Sequence, residues 1–531
     1  MFYIEYLTNI NLIWIGSVSK MLAKVKTCCI HGLLAADIEV QVDLANGLPT
    51  MNIVGLPDAA LKESKERVRA AIKNSELDFP LKRITVNLSP ADTRKEGTYF
   101  DLPIALGILA ASEQIRLTDF SEVVVLGELS LDGQINPVNG VLPMLLEMCT
   151  RGFTKVLLPL GNIEEAKLVE GIECIGVTSL KEVVAFINNE IQLETSIGTI
   201  FHRWDQQDFH QDFKDLKGQE SLKRGLEIVA AGSHNLMMIG PPGSGKTMAA
   251  AALPSILPKL TFEEAMEITK IYSVAGLLTS QKGLITQRPF RAPHHTASMV
   301  ALTGGGRVPK PGEVSLSHYG VLFLDELPEF TKSVLEVLRQ PLENGSITLS
   351  RVNGTFTYPA KFMLVCAMNP CPCGYHGTDA PQHHCSCTPQ QVRRYTAKVS
   401  GPLLDRMDII VETSAVSYKD LTSNKKTETS KEIRERVEKA RQRQLERYKK
   451  NRFTFNSELT PAAIKKYCQL DSPSQSLLSN AFDKMGLSAR AYNRIIKITR
   501  TIADLEESDE IKVHHLAEAL QYRKINNIMW R

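Results

Sequence analysis

Gly240-Pro241-Pro242-Gly243-Ser244-Gly245-Lys246-Thr247 sets glycines, a lysine and a hydroxyl at a spacing suited to binding phosphate. Glycines let consecutive backbone N–H groups approach an oligophosphate, the lysine reaches the β- and γ-oxygens, and the threonine hydroxyl is a ligand for Mg²⁺. The run Val321-Leu-Phe-Leu-Asp325-Glu326 supplies the complementary half. There an apolar strand ends on two carboxylates, Asp325 for the magnesium shell and Glu326 to polarise an attacking water. The chemistry implied is hydrolysis of ATP with Mg²⁺.

Three further residues can complete such a site. Asn369 ends a third apolar run and can orient the water or touch the γ-phosphate. An asparagine there is also an ordinary turn residue, but its order after the two phosphate motifs favours function. Arg406, in Gly401-Pro-Leu-Leu-Asp-Arg406-Met-Asp408, can reach a neighbouring subunit's γ-phosphate, and Arg490, opening a late helix, its own subunit's nucleotide. A surface salt bridge accounts for either arginine equally well.

Cys371-Pro-Cys373 and Cys385-Ser-Cys387, with eleven residues between the pairs, can close four thiolates around one tetrahedral Zn²⁺. His376, His383 and His384 are alternative ligands, and four unligated thiols in a reducing compartment are the plain alternative. With no ligand position left open, the expected role is structural.

These residues need a scaffold. The apolar runs Leu236 to Ile239, Val321 to Leu324 and Phe362 to Ala367 read as buried parallel strands covered by helices. Before them, from Lys24 to about Asn189, strands and helices mix: Ile38 to Val42 alternates, Leu61 to Ile72 has helical spacing, and Val123 to Leu126 and Lys155 to Pro159 read as buried strands. Polar residues up to Asp215 make a linker, and beyond Ser423 the pattern is helical, around 460–466, 474–485, 489–505 and 512–522. The expected domains are an α+β domain over 21–190, a linker over 191–215, a nucleotide-binding core over 216–422 with the cysteine insertion at 371–387, and a helical lid over 423–531.

The 531 residues are 43% hydrophobic and 23% charged, which suits several globular domains and argues against a disordered or fibrous chain. The net charge of +3 neither demands nor excludes nucleic acid. Met1 to Lys20 is interrupted by Glu5, Asn9 and Asn11 and lacks a basic n-region and a cleavage site, so neither signal peptide nor membrane anchor is expected. Met21-Leu-Ala-Lys-Val-Lys reads as a natural start, which makes residues 1–20 an expected non-native or disordered extension. A cytoplasmic location follows, and it suits ten cysteines read as reduced thiols.

Lys217-Gly-Gln-Glu220 through the phosphate loop, Arg288-Pro-Phe-Arg-Ala-Pro-His-His295, Gly320 to Phe330, Asn369-Pro-Cys-Pro-Cys-Gly374 and Ser488-Ala-Arg490 together resemble the ComM/YifB family of magnesium-chelatase-like AAA+ ATPases. The resemblance runs from Met21 to the end. It implies an AAA+ P-loop module with a C-terminal helical lid, and it implies sensor 1 at Asn369, an arginine finger at Arg406 and sensor 2 at Arg490. It further implies a homo-hexameric ring on single-stranded or branched DNA, driving branch migration during natural transformation.

Two rival functions stand beside it. A magnesium-chelatase motor would insert metal into protoporphyrin, but the N-terminal domain and the cysteine cluster are not typical of that subunit. A proteolytic or chaperone ATPase is suggested because Lys95-Glu-Gly97 and Gly127 to Gly140 look like the Lon-protease (ribosomal S5 domain 2-like) fold. Where Lon has its serine and lysine, this sequence has Tyr99 and Leu142, so a degenerate scaffold is expected.

Three segments are candidates for facing DNA. Ser346 to Tyr358 reads as a β-hairpin turning at Asn353-Gly354, and Gly304-Gly-Gly306 with Arg307 and Lys310 as a mobile loop; related motors line a central pore with such elements. Lys425 to Arg452 carries twelve basic and five acidic side chains, a surplus able to follow phosphates or, more simply, a solvated helix laced with ion pairs. Base-reading motifs are missing, so any DNA contact is expected to be independent of sequence.

Overall fold

The computed structural model describes residues 22–92, 94–117, 120, 122–198, 209, 211–278, 283–306, 309–351, 354–377, 384–415, 422, 427–451 and 453–529. The expected extension at 1–20, much of the linker, Arg307, the hairpin turn at Val352 and Asn353, His383, Lys425, Lys426 and Arg452 lie outside the described residues.

The N-terminal sheet has eight strands, in the order Thr195–Ile197, Glu173–Val177, Lys155–Pro159, Val123–Val125, Leu22–His31, Leu34–Ala45, Arg83–Ser89 and Thr50–Val54. Leu22–His31 and Leu34–Ala45 form an antiparallel hairpin, and Ile38, Val40, Val42 and Leu44 alternate inward onto helices Asp101–Ala111 and Val141–Thr150. Thr195–Ile197 pairs antiparallel with Glu173–Val177, so this sheet extends into the expected linker. Three residues are too few to show a period, which is why the sequence reads as a linker there.

The second sheet is wholly parallel, in the order Phe290–Arg291, Val321–Leu324, Met363–Met368, Leu236–Ile239 and Ile409–Glu412. Its strands show no polar alternation because both faces are covered. Leu236, Met238, Val321, Phe323, Val365, Ile409 and Val411 enter one core, while Met237, Ile239, Leu322, Leu324, Leu364, Cys366 and Ile410 enter the other. Each such side chain contributes about 1.5–3 kcal/mol on burial, so a charge on any of them breaks the platform under the phosphate site.

Helices Ser430–Tyr448, Pro461–Tyr467, Ser472–Met485, Ala489–Leu505 and Val513–Met529 close the chain. The first starts on a Thr429/Glu432 capping box and packs on helix Glu220–Gly232. Several of its charges are paired within the subunit: Arg436 bridges Glu227 at 2.6 Å and Glu428 at 2.8 Å, Arg447 bonds buried Asp504 at 2.8 Å, and Arg441 lies over the Phe455 ring at 3.5 Å. For these residues the run is the ion-paired helix.

The two halves touch. Helix Val141–Thr150 packs on helix Phe262–Ala275, the Gly140 N–H donates to the Ser273 carbonyl at 3.1 Å, and Met266 enters the N-terminal core. Strands Ser346–Arg351 and Gly354–Pro359 pair as the expected hairpin, whose Ile347, Leu349 and Tyr358 cluster with Leu33 from the tip of the N-terminal hairpin.

Candidate active site

A parallel sheet brings the C-terminal ends of its strands to one edge, where ligands bind in α/β folds. The phosphate loop leaves Leu236–Ile239 there, Asp325 and Glu326 follow Val321–Leu324, and Asn369 follows Met363–Met368. Gly240 sits so close to Thr413 that a Cβ would overlap its hydroxyl and carbonyl, and Ser244 Oγ meets Thr413 Oγ1 at 2.8 Å. Gly243 and Gly245 take φ of 74° and 84°, left-handed values that turn the loop before the helix that opens at Lys246.

Lys246 Nζ donates to the carbonyls of Gly240 and Pro241, each at 2.8 Å, and to Asn369 Oδ1 at 3.3 Å. Burial lowers the Lys246 ammonium pKa, and Asp325 opposes that shift. Asn369 is therefore one hydrogen bond from the phosphate-loop lysine. Thr247 Oγ1 donates to Asp325 Oδ2 at 2.7 Å, which sets two hard oxygen ligands side by side, a donor pair that fits Mg²⁺. Asp325 Oδ1 also accepts the Glu326 N–H at 2.9 Å, and Glu326, at φ 51°, turns its carboxylate outward with 61% of the side chain exposed.

Two residues that the sequence reading did not single out join this edge. Gln219 Nε2 donates to Ser244 O at 3.3 Å and Ser414 O at 2.5 Å, which ties the loop to the strand beside it. His295 Nδ1 stands 3.4 Å from Glu326 Oε2. Both lie in the quoted stretches 217–220 and 288–295, but their roles depend on chain contacts that spacing does not reveal.

The cysteines adjoin the site. Sγ of Cys371 lies 3.3 Å from Cys373 and 3.8 Å from Cys385, Cys373 and Cys385 are 3.6 Å apart, and all four sulfurs including Cys387 fall within 4.8 Å of one another. A tetrahedral zinc with Zn–S of roughly 2.3 Å has sulfur edges of about 3.8 Å, so the four thiols fit that ion. Gly374, at φ 89°, packs against the Pro242 ring of the phosphate loop.

Arg406 is at the other edge. It precedes Ile409–Glu412, donates to Pro402 O at 2.6 Å, and ion-pairs with Glu343, with its Nε buried and unbonded. A cavity there is lined by Asn235, Gly320 and Met363 at the strands' N-terminal ends together with Arg406, Arg494 and Lys497. Arg490 stands exposed in the first turn of helix Ala489–Leu505. One turn on, Arg494 bridges Asp408 at 3.2 Å. Burial favours the neutral Asp408 carboxyl, but the His234 ring 3.7 Å away, the Arg494 charge and the Asn235 N–H at 2.9 Å hold it well below the usual carboxylate range.

In the N-terminal domain, Tyr99 is buried and its hydroxyl accepts the Ile30 N–H at 3.2 Å. Burial raises its pKa well above the phenolic range. Leu142 is fully buried, and its N–H donates to Glu165 Oε1 at 2.8 Å. Neither position offers a nucleophile or base.

The chain is similar to known proteins over most of its length. Residues 212–421 match the family model described as magnesium chelatase, subunit ChlI, residues 40–162 the model described as subunit ChlI of Mg-chelatase, and residues 427–523 the model of the subunit ChlI C-terminal region. The chain is 43% identical to YifB of Salmonella typhimurium over 514 residues, 96% of this chain and 98% of that protein. It is 44% identical to competence protein ComM of Haemophilus influenzae over 506 residues, 94% of this chain and 96% of the relative. The magnesium-chelatase 38 kDa subunit of Cereibacter sphaeroides is 24% identical over 177 residues, 30% of this chain and 52% of that subunit.

Proposed function

The chain belongs to the ComM/YifB family of magnesium-chelatase-like AAA+ ATPases, and from that premise we propose that it is a ring-forming, ATP-driven motor that migrates DNA branches. In this reading Lys246 and the phosphate-loop N–H groups hold the ATP phosphates. Thr247 and Asp325 ligate Mg²⁺, which when bound neutralises phosphate charge. Glu326 accepts the proton of the attacking water, and Asn369 orients that water from its position against Lys246.

The observation that carries the ring is the place of Arg406. Strands of four residues span about 13 Å at ~3.3 Å per residue, so Arg406 at their N-terminal edge is remote from its own phosphate loop and suits a neighbour's γ-phosphate. The Arg490 helix, tied through Arg494 to Asp408, shares that edge. This favours Arg490 acting across the interface as well, in place of the expected contact with its own nucleotide. In this reading six subunits set the hairpin and the paired glycine strand around a pore for DNA held by its backbone.

Action on DNA in the service of transformation is favoured by the competence relative, which aligns over nearly the whole chain, whereas the chelatase subunit aligns over less than a third of it. The Lon-like N-terminal domain is proposed as a non-catalytic scaffold, the cysteine cluster as a structural zinc site, and the location as cytoplasmic. Among the described residues no helix is long and apolar enough to cross a membrane. The deciding experiment is ATP-dependent branch migration of a synthetic four-way junction by purified protein. Inactivity there, with ATP-dependent metal insertion into protoporphyrin in the presence of chelatase partners, transfers the assignment to the rival.

A further inference from the structure

The hairpin of Ser346–Arg351 and Gly354–Pro359 is a sheet of two strands, joined to neither large sheet. A ladder of that size is marginally stable by itself and needs cover on its apolar face. Its register sets Ile347 opposite Tyr358 and Leu349 opposite Phe356, which puts all four on one face, while Thr348, Ser350, Thr355 and Thr357 stand exposed on the other. Tyr358 is fully buried, and its hydroxyl donates to Pro309 O at 2.7 Å, just before the strand Lys310–Pro311 that pairs with Gly304–Gly305.

The cover comes from the N-terminal domain. Strands Leu22–His31 and Leu34–Ala45 are joined by the two-residue turn Gly32-Leu33, where Gly32 takes φ 65°, the left-handed value that such a turn asks of its first central residue. A Cβ at Gly32 would lie 3.3 Å from Phe356 Cδ1 and 3.9 Å from the Tyr358 hydroxyl, so this turn sits directly on the hairpin. Leu33 packs into the same apolar cluster. The turn is anchored from behind. Strand Leu22–His31 pairs with Val123–Val125 only around Lys26, so its last residues outrun that neighbour. There the Ile30 N–H donates to the Tyr99 hydroxyl at 3.2 Å instead of to a strand. Tyr99 is 5% exposed, and a Cβ at Gly97 would fall 2.5 Å from its ring, which leaves the phenol no room to shift.

We infer that the N-terminal domain is the brace of the pore hairpin: Gly32-Leu33, anchored through Tyr99, covers its apolar face and sets how its hydroxyl-bearing face is presented to a nucleic-acid backbone. Leu33 and Tyr99 are positioning residues in this scheme, and neither touches nucleotide. The presentation to DNA rests on the reading of the hairpin as a pore element, whereas the brace itself rests on contacts within one subunit.

The test pairs hydrogen exchange of the 346–359 peptides with ATP hydrolysis, without and with a single-stranded oligonucleotide, on the full chain carrying Leu33→Ala, Leu33→Met or Tyr99→Phe. Leu33→Ala is expected to raise exchange of the hairpin amides about tenfold. It should cut the stimulation of kcat by DNA about fivefold or more, while kcat without DNA and the Kd of a fluorescent ATP analogue shift by less than about twofold. Leu33→Met keeps the apolar volume and should restore both readings. Tyr99→Phe removes only the acceptor of the Ile30 N–H and should move both in the same direction by a smaller factor. Unchanged exchange in Leu33→Ala overturns the brace, and raised exchange with undiminished stimulation overturns its role in presenting the hairpin. Equal loss of basal and stimulated turnover with a lowered Tm overturns the inference as well, since it reduces the contact to general stability. A wild type whose turnover ignores DNA removes the reading of the hairpin as a DNA-facing element, and the exchange comparison then decides the brace alone.

Discussion

Lys246 and Glu326 sit on the same strand edge yet act at different stages. On the proposed reading the lysine meets phosphate in the ground state and in the transition state, whereas the glutamate matters only while the water is losing its proton. Lys246→Ala should therefore weaken nucleotide binding by at least about tenfold, the worth of one charge-assisted contact. Glu326→Gln should keep that affinity and lose about 100-fold or more in kcat. Isothermal titration with a non-hydrolysable analogue, run beside phosphate release, separates the two, and a Glu326→Gln chain with undiminished phosphate release rules out its assignment. At this scale the phosphate loop and the two acids were legible because glycine, lysine and paired carboxylates do their chemistry through local spacing. His295, Gln219 and Glu343 were not, because each meets its partner through strand pairing or packing between segments far apart in sequence.

The strands were legible as elements because both faces are buried and the apolar runs are unbroken; Leu236–Ile239 and Val321–Leu324 fall where the runs predict. The short strands Phe290–Arg291 and Thr195–Ile197 were not, being two and three residues long. The cysteine loop shows what element packing adds. Spacing alone makes it a self-contained structural knot, but it begins two residues after Asn369, and Gly374 rests on Pro242. Loss of metal should therefore reach the phosphate chemistry. We expect about one zinc per chain by atomic emission. Cys385→Ser should lose that zinc and several-fold of its kcat, and zinc-free wild-type protein at full activity would separate the loop from the site. The contact between helices Val141–Thr150 and Phe262–Ala275 carries a pH signature of its own. Glu165 is buried where they meet, and burial raises its carboxyl despite the opposing hydrogen bonds from Ser273, Leu142 and Asn162. A carboxyl raised in the docked state stabilises docking fully below its free value of about 4.3, and that contribution is lost as pH rises through the docked value. The Tm of the wild type should fall relative to Glu165→Gln as pH is raised from about 4.3 toward neutrality. Parallel curves for the two proteins would remove Glu165 as the cause.

At the scale of the whole molecule, the subunit separates its phosphate loop and its Arg406 by the full length of the parallel strands, and on the proposed reading the two meet only across an interface with a second copy. Arg406 is 8% exposed and engaged with Glu343 and Pro402 O, and it must trade the Glu343 carboxylate for a neighbour's γ-phosphate to act. Nucleotide affinity should therefore be nearly untouched in Arg406→Ala, since the binding loop is intact, while hydrolysis falls by about 10³-fold, the scale of a missing arginine finger. Mixing then discriminates. Lys246→Ala subunits keep the finger and lack the loop, and Arg406→Ala subunits keep the loop and lack the finger. Each homogeneous assembly is silent, but a mixed ring contains interfaces at which an intact loop meets an intact finger. Activity should pass through a maximum as the ratio is varied and vanish at both ends. Co-assembly is established first by cross-linking, because segregated rings are silent for a different reason. Mixed rings that form at every ratio and never hydrolyse ATP would end the assignment of Arg406 to the neighbour's site. An Arg406→Ala protein hydrolysing at the wild-type rate would end its assignment to catalysis altogether.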